Sequence, residues 1–145
     1  MNVMIHNEID NWSKSGFSIE VTIKQKKKLE ILIKEIQNNL DIFKTDFYIM
    51  KNDNYPIWTK NTNTISIKFY IIDNYFIDLF NYLLTSFFNN TFSKDNNEMG
   101  IEYTVKKDII YIKIWHNDIL ELTNESIKII DEYKYNILNI SHKIK

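Results

Sequence analysis

The sequence predicts an α+β fold: a mostly antiparallel β-sheet with three helices on one face and the other face left open. Three observations predict it. Several short segments alternate apolar and polar residues with period two, and three longer segments repeat apolar residues at helical spacing. The segments also come in the order β-β-α-β-β-α-β-β-α-β, so hairpin-like strand pairs are separated by single helices.

A weak strand over 2–6 opens the chain, followed by "GFSIEVTIK" (16–24), whose Phe17, Ile19, Val21 and Ile23 fall on one face and predict a half-buried strand. In "KQKKKLEILIKEIQNNL" (24–40), Leu29, Leu32, Ile33, Ile36 and Leu40 lie on one helical stripe. "DFYIMK" (46–51) and "TISIKFYI" (64–71) read as strands flanking a polar loop, "DNYPIWTKN". From Asp73 to Phe88 a second amphipathic helix carries Phe76, Leu79, Phe80, Leu83, Leu84, Phe87 and Phe88. "GIEYTVKKDIIYIKIWH" (100–116) predicts a hairpin turning near Lys107 and Asp108, with Ile110, Ile112 and Ile114 opposite Tyr111, Lys113 and Trp115. "TNESIKIIDEYKY" (123–135) starts a third helix with Thr123 or Asn124 as N-cap, and "NILNISHKIK" (136–145) supplies the last strand.

The 145 residues predict one domain spanning 1–145, long enough to bury one sizeable core. A net charge of −1 excludes a surface coated in nucleic acid, so any basic site is local. The chain has no cysteine, which removes disulfides and thiolate zinc sites and fits a reducing compartment. The polar and acidic start "MNVMIHNEID" shows no secretory signal, and Asp73 and Asp78 interrupt the most apolar stretch, 69–88. A soluble, cytoplasmic protein without membrane contact is expected. Arginine and alanine are absent while Ile, Asn, Lys, Tyr and Phe are abundant, a bias of A/T-rich codons that makes Lys the expected stand-in for Arg.

No catalytic set assembles, and we expect no enzyme, no cofactor and no metal. His6, His116 and His142 lack helical pairing with one another, and Gly16 and Gly100 alone cannot build a phosphate loop. The run "KQKKK" (24–28) reads as a solvated helix end rather than an RNA grip. Alternation gathers Glu102, Thr104, Lys106, Tyr111, Lys113 and Trp115 on the open face, a candidate stacking platform for bases. The structural alternative, equally supported by alternation, makes Trp115 a cap on the edge of the core.

"DNWSKSGFSIEVTI", "DFYIMKNDNYPIWTK" and "GIEYTVKKDIIYIKIWH" together resemble the eukaryotic translation initiation factor 4E family, the messenger-RNA cap-binding proteins. The resemblance runs over nearly the whole chain as ordered landmarks, the three tryptophans above all. It implies a curved sheet with three helices on the convex face and the capped 5′ end of mRNA in the concave face. Trp12 and Trp58 would stack on the two sides of 7-methylguanine, and Trp115 would meet its methyl group. A cationic, electron-poor ring gains both stacking and cation–π attraction from indole faces, on the order of 1–3 kcal/mol per stacked base. Lys106 takes the place of a family arginine that contacts the triphosphate bridge. Tyr111 stands where the family often has a phosphate-binding lysine, a role that Lys113 or Lys107 would assume.

Departures from the family pattern bear on recognition. Thr59 follows Trp58 where the family has a glutamate that accepts two hydrogen bonds from the guanine edge, and Glu102, on the open face, is the substitute. The family's convex-face tryptophan, which binds scaffold proteins of the initiation-factor 4G type, has Leu29 or Glu30 near its position, and the chain stops soon after the last strand. The expected function is binding of the mRNA cap in translation initiation by a monomer, with a 4G-type scaffold as partner, in a virus or an A/T-rich eukaryote. Two alternatives stand beside it: a family member with a decayed cap site acting as a protein-interaction module, and a bacterial immunity-type α+β protein with core tryptophans.

Overall fold

The computed structural model describes residues 1–8, 10–38, 46–70, 75–133 and 139–144, with only the backbone of 37, 75–76 and 139–144. The strands are β1 (Asn2–His6), β2 (Phe17–Thr22), β3 (Phe47–Met50), β4 (Thr62–Tyr70), β5 (Glu98–Lys106), β6 (Ile109–Asn117) and β7 (Asn139–Ile144). The helices are α1 (Lys26–Asn38), α2 (Tyr75–Phe88) and α3 (Asn124–Glu132), and a 3-10 turn spans Lys14–Gly16. The observed order is the predicted one. Leu40, Ile71, Asp73, residues 134–138 and the side chains of Phe76 and His142 lie outside what is described.

The strands form one curved, unclosed sheet in the order β2-β1-β3-β5-β6-β4-β7, and every strand pairing in it is antiparallel. Alternation then sorts the side chains. Phe47, Ile49, Ile67, Phe69, Ile101, Tyr103, Ile110, Ile112 and Ile114 meet Leu29 and Ile36 of α1 and Leu79, Phe80, Leu83, Leu84 and Phe87 of α2 in the main core. On the other face Met4, Phe17, Tyr48, Met50, Met99 and Trp115 form a second, smaller cluster, with Tyr55, Ile57 and Trp58 packed on it. A ligand site on that face therefore has a packed floor.

Strand β2 corrects one expectation. Phe17, Ile19, Val21 and Ile23 do not bury one common face: Phe17 and Ile23 are buried, in different clusters, whereas Ile19 and Val21 are 46% and 47% exposed. The cause is a register shift between Val3 and Met4, which pair with Val21 and Ile19 and so leave Glu20 as an extra residue. Such a bulge turns the strand over midway, and period-two reading across it fails. The edge position of β2 leaves its middle open to solvent.

At the start of α3, Thr123 is the N-cap, its hydroxyl accepting from the Ser126 amide at 3.3 Å. Among the described residues no helix is long and apolar enough to cross a membrane.

Candidate ring-binding site

Two loops and three strands build a cavity of about 440 Å³ on the open face, lined by Trp12, Tyr48, Pro56, Ile57, Trp58, Glu102, Lys113 and Trp115. Its size is ordinary for a small-ligand site. The alternation that sends Ile101, Ile112 and Ile114 into the main core sends Glu102, Lys113 and Trp115 here. Tyr48 follows the same rule between Phe47 and Ile49, a signal present in the alternation of "DFYIMK".

Trp12 stands on the loop between β1 and β2 and is 56% exposed. The loop is held by Asn11, whose Oδ1 accepts from the Ser13 amide at 3.0 Å and from the Ser13 hydroxyl, while its Nδ2 donates to Glu8 at 2.8 Å and Ser15 at 3.0 Å. Gly16 closes it by donating to Ser13 O at 3.0 Å and accepting from the Asn7 amide at 2.9 Å. A Cβ at Gly16 would collide with the Asn11 carbonyl, so glycine is required for close approach here. Behind Trp12 lies His6, an unforeseen member, with ring centroids 3.9 Å apart and planes 26° from parallel.

Trp58 lies half-buried on the loop between β3 and β4, after the buried Pro56, its ring tilted 50° against Trp115 at 4.9 Å. Trp115 is 3% exposed, so it belongs to the floor cluster and to the cavity wall at once. The two readings of that residue meet in one position. Trp12 and Trp58, by contrast, are not core residues.

Glu102 is the anionic centre of the cavity. Its Oε2 accepts from Trp115 Nε1 at 3.0 Å and lies 3.6 Å from Lys113 Nζ, so one carboxylate fixes the plane of the indole and holds the lysine. No other hydrogen bond reaches Glu102 among the described residues, and a carboxylate has about four lone-pair sites. Burial first, then the charges of Glu102 and Asp46, raises the Tyr48 phenol far above its ordinary range, so Tyr48 keeps its proton.

Thr59 takes a different place from the other residues singled out. It is exposed and does not line the cavity, and its hydroxyl meets that of Thr62 at 2.9 Å while its amide donates to Thr62 Oγ1 at 3.2 Å. Both groups serve the turn that leads into β4.

A second groove of about 330 Å³ adjoins the first, sharing Glu102 and Lys113 with it and adding Asp46, Ser66, Lys68, Thr104, Lys106 and Tyr111. Lys68 and Lys106 hold their ammonium groups 5.4 and 5.9 Å from the centre of the Tyr111 ring. Lys107 is exposed in the β5–β6 turn with φ 56° and lines neither cavity. Lys68 was missed, although "TISIKFYI" places it opposite Ile67 and Phe69 by simple alternation. No cluster of three metal-binding side chains occurs among the described residues.

At the strand end where the Trp58 loop begins is a buried ion pair that sequence reading did not find. Lys51 Nζ and Glu98 Oε1 are 2.8 Å apart with side chains 5% and 0% exposed, and Ser93 donates to the other carboxylate oxygen. The pair joins the end of β3 to the start of β5.

No protein-family model matches the sequence, and no curated protein matches it either. Solved structures do match the fold. Ascaris suum eIF4E-3 in complex with the m7G cap superposes with a TM-score of 0.67 at 13% identity, over 99% of this chain and 87% of that one. The same protein with the m2,2,7G cap gives a TM-score of 0.63 at 13% identity, over 99% and 87%. C. elegans eIF4E-3 in complex with the 4E-binding protein Mextli and a cap analog gives 0.64 at 12% identity, over 98% and 87%. At such identities the likeness is one of architecture: this chain has an eIF4E-like fold.

Proposed function

We propose that the protein binds the 7-methylguanosine 5′ cap of mRNA and acts in translation initiation as a cytoplasmic, monomeric, non-enzymatic factor. One observation carries the reading: three indoles and a carboxylate surround one cavity that opens into a groove lined by three lysines. Flat cations suit the first, and phosphates suit the second. The eIF4E-like fold, shared with a protein solved with both m7G and m2,2,7G caps, supports it.

In this reading Trp12 and Trp58 stack on the base, Trp115 meets the methyl group, and Lys106, Lys113 and Lys68 serve the phosphates with Tyr111 among them, while Lys107 stands outside the groove. Glu102 rather than Thr59 reads the guanine edge, because Glu102 lines the cavity and the Thr59 hydroxyl is held by Thr62. The carboxylate also offsets the ligand's positive charge. A scaffold protein of the 4G type is the partner proposed for the helical face, and the complex of C. elegans eIF4E-3 with Mextli supports a protein partner of that kind.

The test separates base from phosphate. Glu102→Gln keeps an acceptor for Trp115 but removes the charge, so it should weaken a 7-methylguanosine nucleoside and a capped dinucleotide alike, by roughly tenfold or more from the loss of charge-assisted hydrogen bonds. Lys106→Ala should weaken the capped dinucleotide alone, with a shallower salt dependence. If Glu102→Gln binds both ligands as tightly as the natural protein, Glu102 does not read the base.

A further inference from the structure

We propose that Tyr48 is a specificity-determining residue of the ring-binding cavity: its hydroxyl donates a hydrogen bond to the carbonyl oxygen of the bound base, while Glu102 beside it accepts from the base's N–H groups. This rests on the cap reading above and adds a contact that reading does not contain. Strand register brings the two residues together. Met4, Tyr48, Glu102, Lys113 and Ser66 stand opposite one another in turn across β1, β3, β5, β6 and β4, so their side chains form one row on the open face. Tyr48 sits where that row changes from apolar to polar.

The two ends of the Tyr48 side chain meet different surroundings. Its ring is packed in the floor cluster with Met4, Phe17 and Met50, edge-on to Phe17 at 5.4 Å and 89°, and the residue is 2% exposed. The hydroxyl is not packed away. Tyr48 lines the cavity, no hydrogen bond reaches its hydroxyl among the described residues, and that oxygen is not sealed from solvent as the Thr64 hydroxyl is. A buried phenol ordinarily finds a partner. Here the place for one is the cavity.

Glu102 decides which partner fits. Its Oε2 already serves Trp115 and Lys113, whereas Oε1 has no hydrogen bond among the described residues and can only accept. A base edge laid against the pair meets an acceptor at Glu102 and, at Tyr48, a phenol that keeps its proton because burial and the charges of Glu102 and Asp46 oppose its loss. An edge with N–H groups beside a carbonyl, as in guanine, satisfies both. An edge without a good acceptor leaves the hydroxyl unpaired against the packed floor, and that loss discriminates between ligands.

The experiment measures, by calorimetry, binding of 7-methylguanosine monophosphate and its 6-thio counterpart, whose sulfur accepts hydrogen bonds weakly. It is run below the N1 titration of both rings, so that each is a cation. The natural protein should prefer the oxygen compound by about fivefold, the worth of one neutral hydrogen bond. Tyr48→Phe keeps the ring contacts with Phe17 and should fold; it should bind the oxygen compound about fivefold more weakly and the thio compound within about twofold of the natural protein, so the preference disappears. Lys113→Met serves as the comparison, because it should weaken both nucleotides and leave their ratio as it is. A preference unchanged in Tyr48→Phe, or one abolished by Lys113→Met instead, would overturn the proposal while leaving the cap reading standing. If the natural protein binds neither nucleotide, the cap reading itself fails and the role assigned to Tyr48 falls with it.

Discussion

The three tryptophans divide by environment, and the division decides what each can be asked to do. Trp115 is 3% exposed and hydrogen-bonded to Glu102, whereas Trp12 is 56% exposed and Trp58 half-buried. Replacing Trp115 by alanine should therefore cost about 3–5 kcal/mol of folding stability, as large-to-small core changes do. Trp12→Ala should cost about 1 kcal/mol or less and yet weaken cap-analogue binding at least tenfold, since a stacking ring contributes on the order of 1–3 kcal/mol. Melting and fluorescence titration of the same samples check both halves, and a Trp12→Ala protein that unfolds would return that ring to the core. At this scale alternation made Glu102, Lys113 and Trp115 legible as neighbours on one face. It could not foresee that Thr59 would turn to Thr62 or that His6 would back Trp12, because both depend on loop geometry, which has no period.

Among the elements, the order of strands and helices was legible because each apolar stripe had a partner face to meet. The β1–β2 bulge was not, since one extra residue leaves the composition of "SIEV" unchanged while reversing its faces. Nor was the Lys51–Glu98 pair, whose members are 47 residues apart in sequence and meet only when β3 and β5 align. That pair anchors the strand end from which the Trp58 loop departs. Glu98→Leu, which strands the buried ammonium, should cost about 3–5 kcal/mol, and the double change Lys51→Met with Glu98→Leu should recover most of it. Denaturant unfolding of the three proteins measures this, and a double variant no more stable than Glu98→Leu would show that the pair does more than neutralise itself. A second expectation concerns the sheet's tyrosines. Burial pushes Tyr103 up to about 12, and burial followed by the charges of Glu102 and Asp46 raises Tyr48. The unfolded chain ionises these phenols near pH 10 while the folded one retains their protons, so the stability they contribute is complete below about pH 10 and declines as pH rises toward 12. Melting temperatures across that range should fall less steeply in Tyr103→Phe, and an unchanged slope would contradict the assignment.

For the whole molecule, the sheet does two jobs with its two faces. Its apolar side closes the core against the helices, and its other side carries a smaller aromatic cluster beside charged residues that a core would exclude. That division is what turns a period-two pattern into a candidate binding surface. It also explains why a net charge of −1 is compatible with the proposed phosphate groove: Lys68, Lys106 and Lys113 are gathered locally, beside Glu102 and Asp46. The fold likeness at 12–13% identity sets the architecture, and the side chains in the cavity must supply the chemistry. The most direct measurement is therefore competition at constant salt between 7-methylguanosine triphosphate and guanosine triphosphate for the natural protein. The two ligands present the same phosphates and differ in the methyl group and the charge it gives the ring. Stacking on a cation between Trp12 and Trp58 predicts that the methylated nucleotide binds at least tenfold more tightly. Equal affinities would mean that the lysines hold any triphosphate and that the tryptophan cavity is not a cap site.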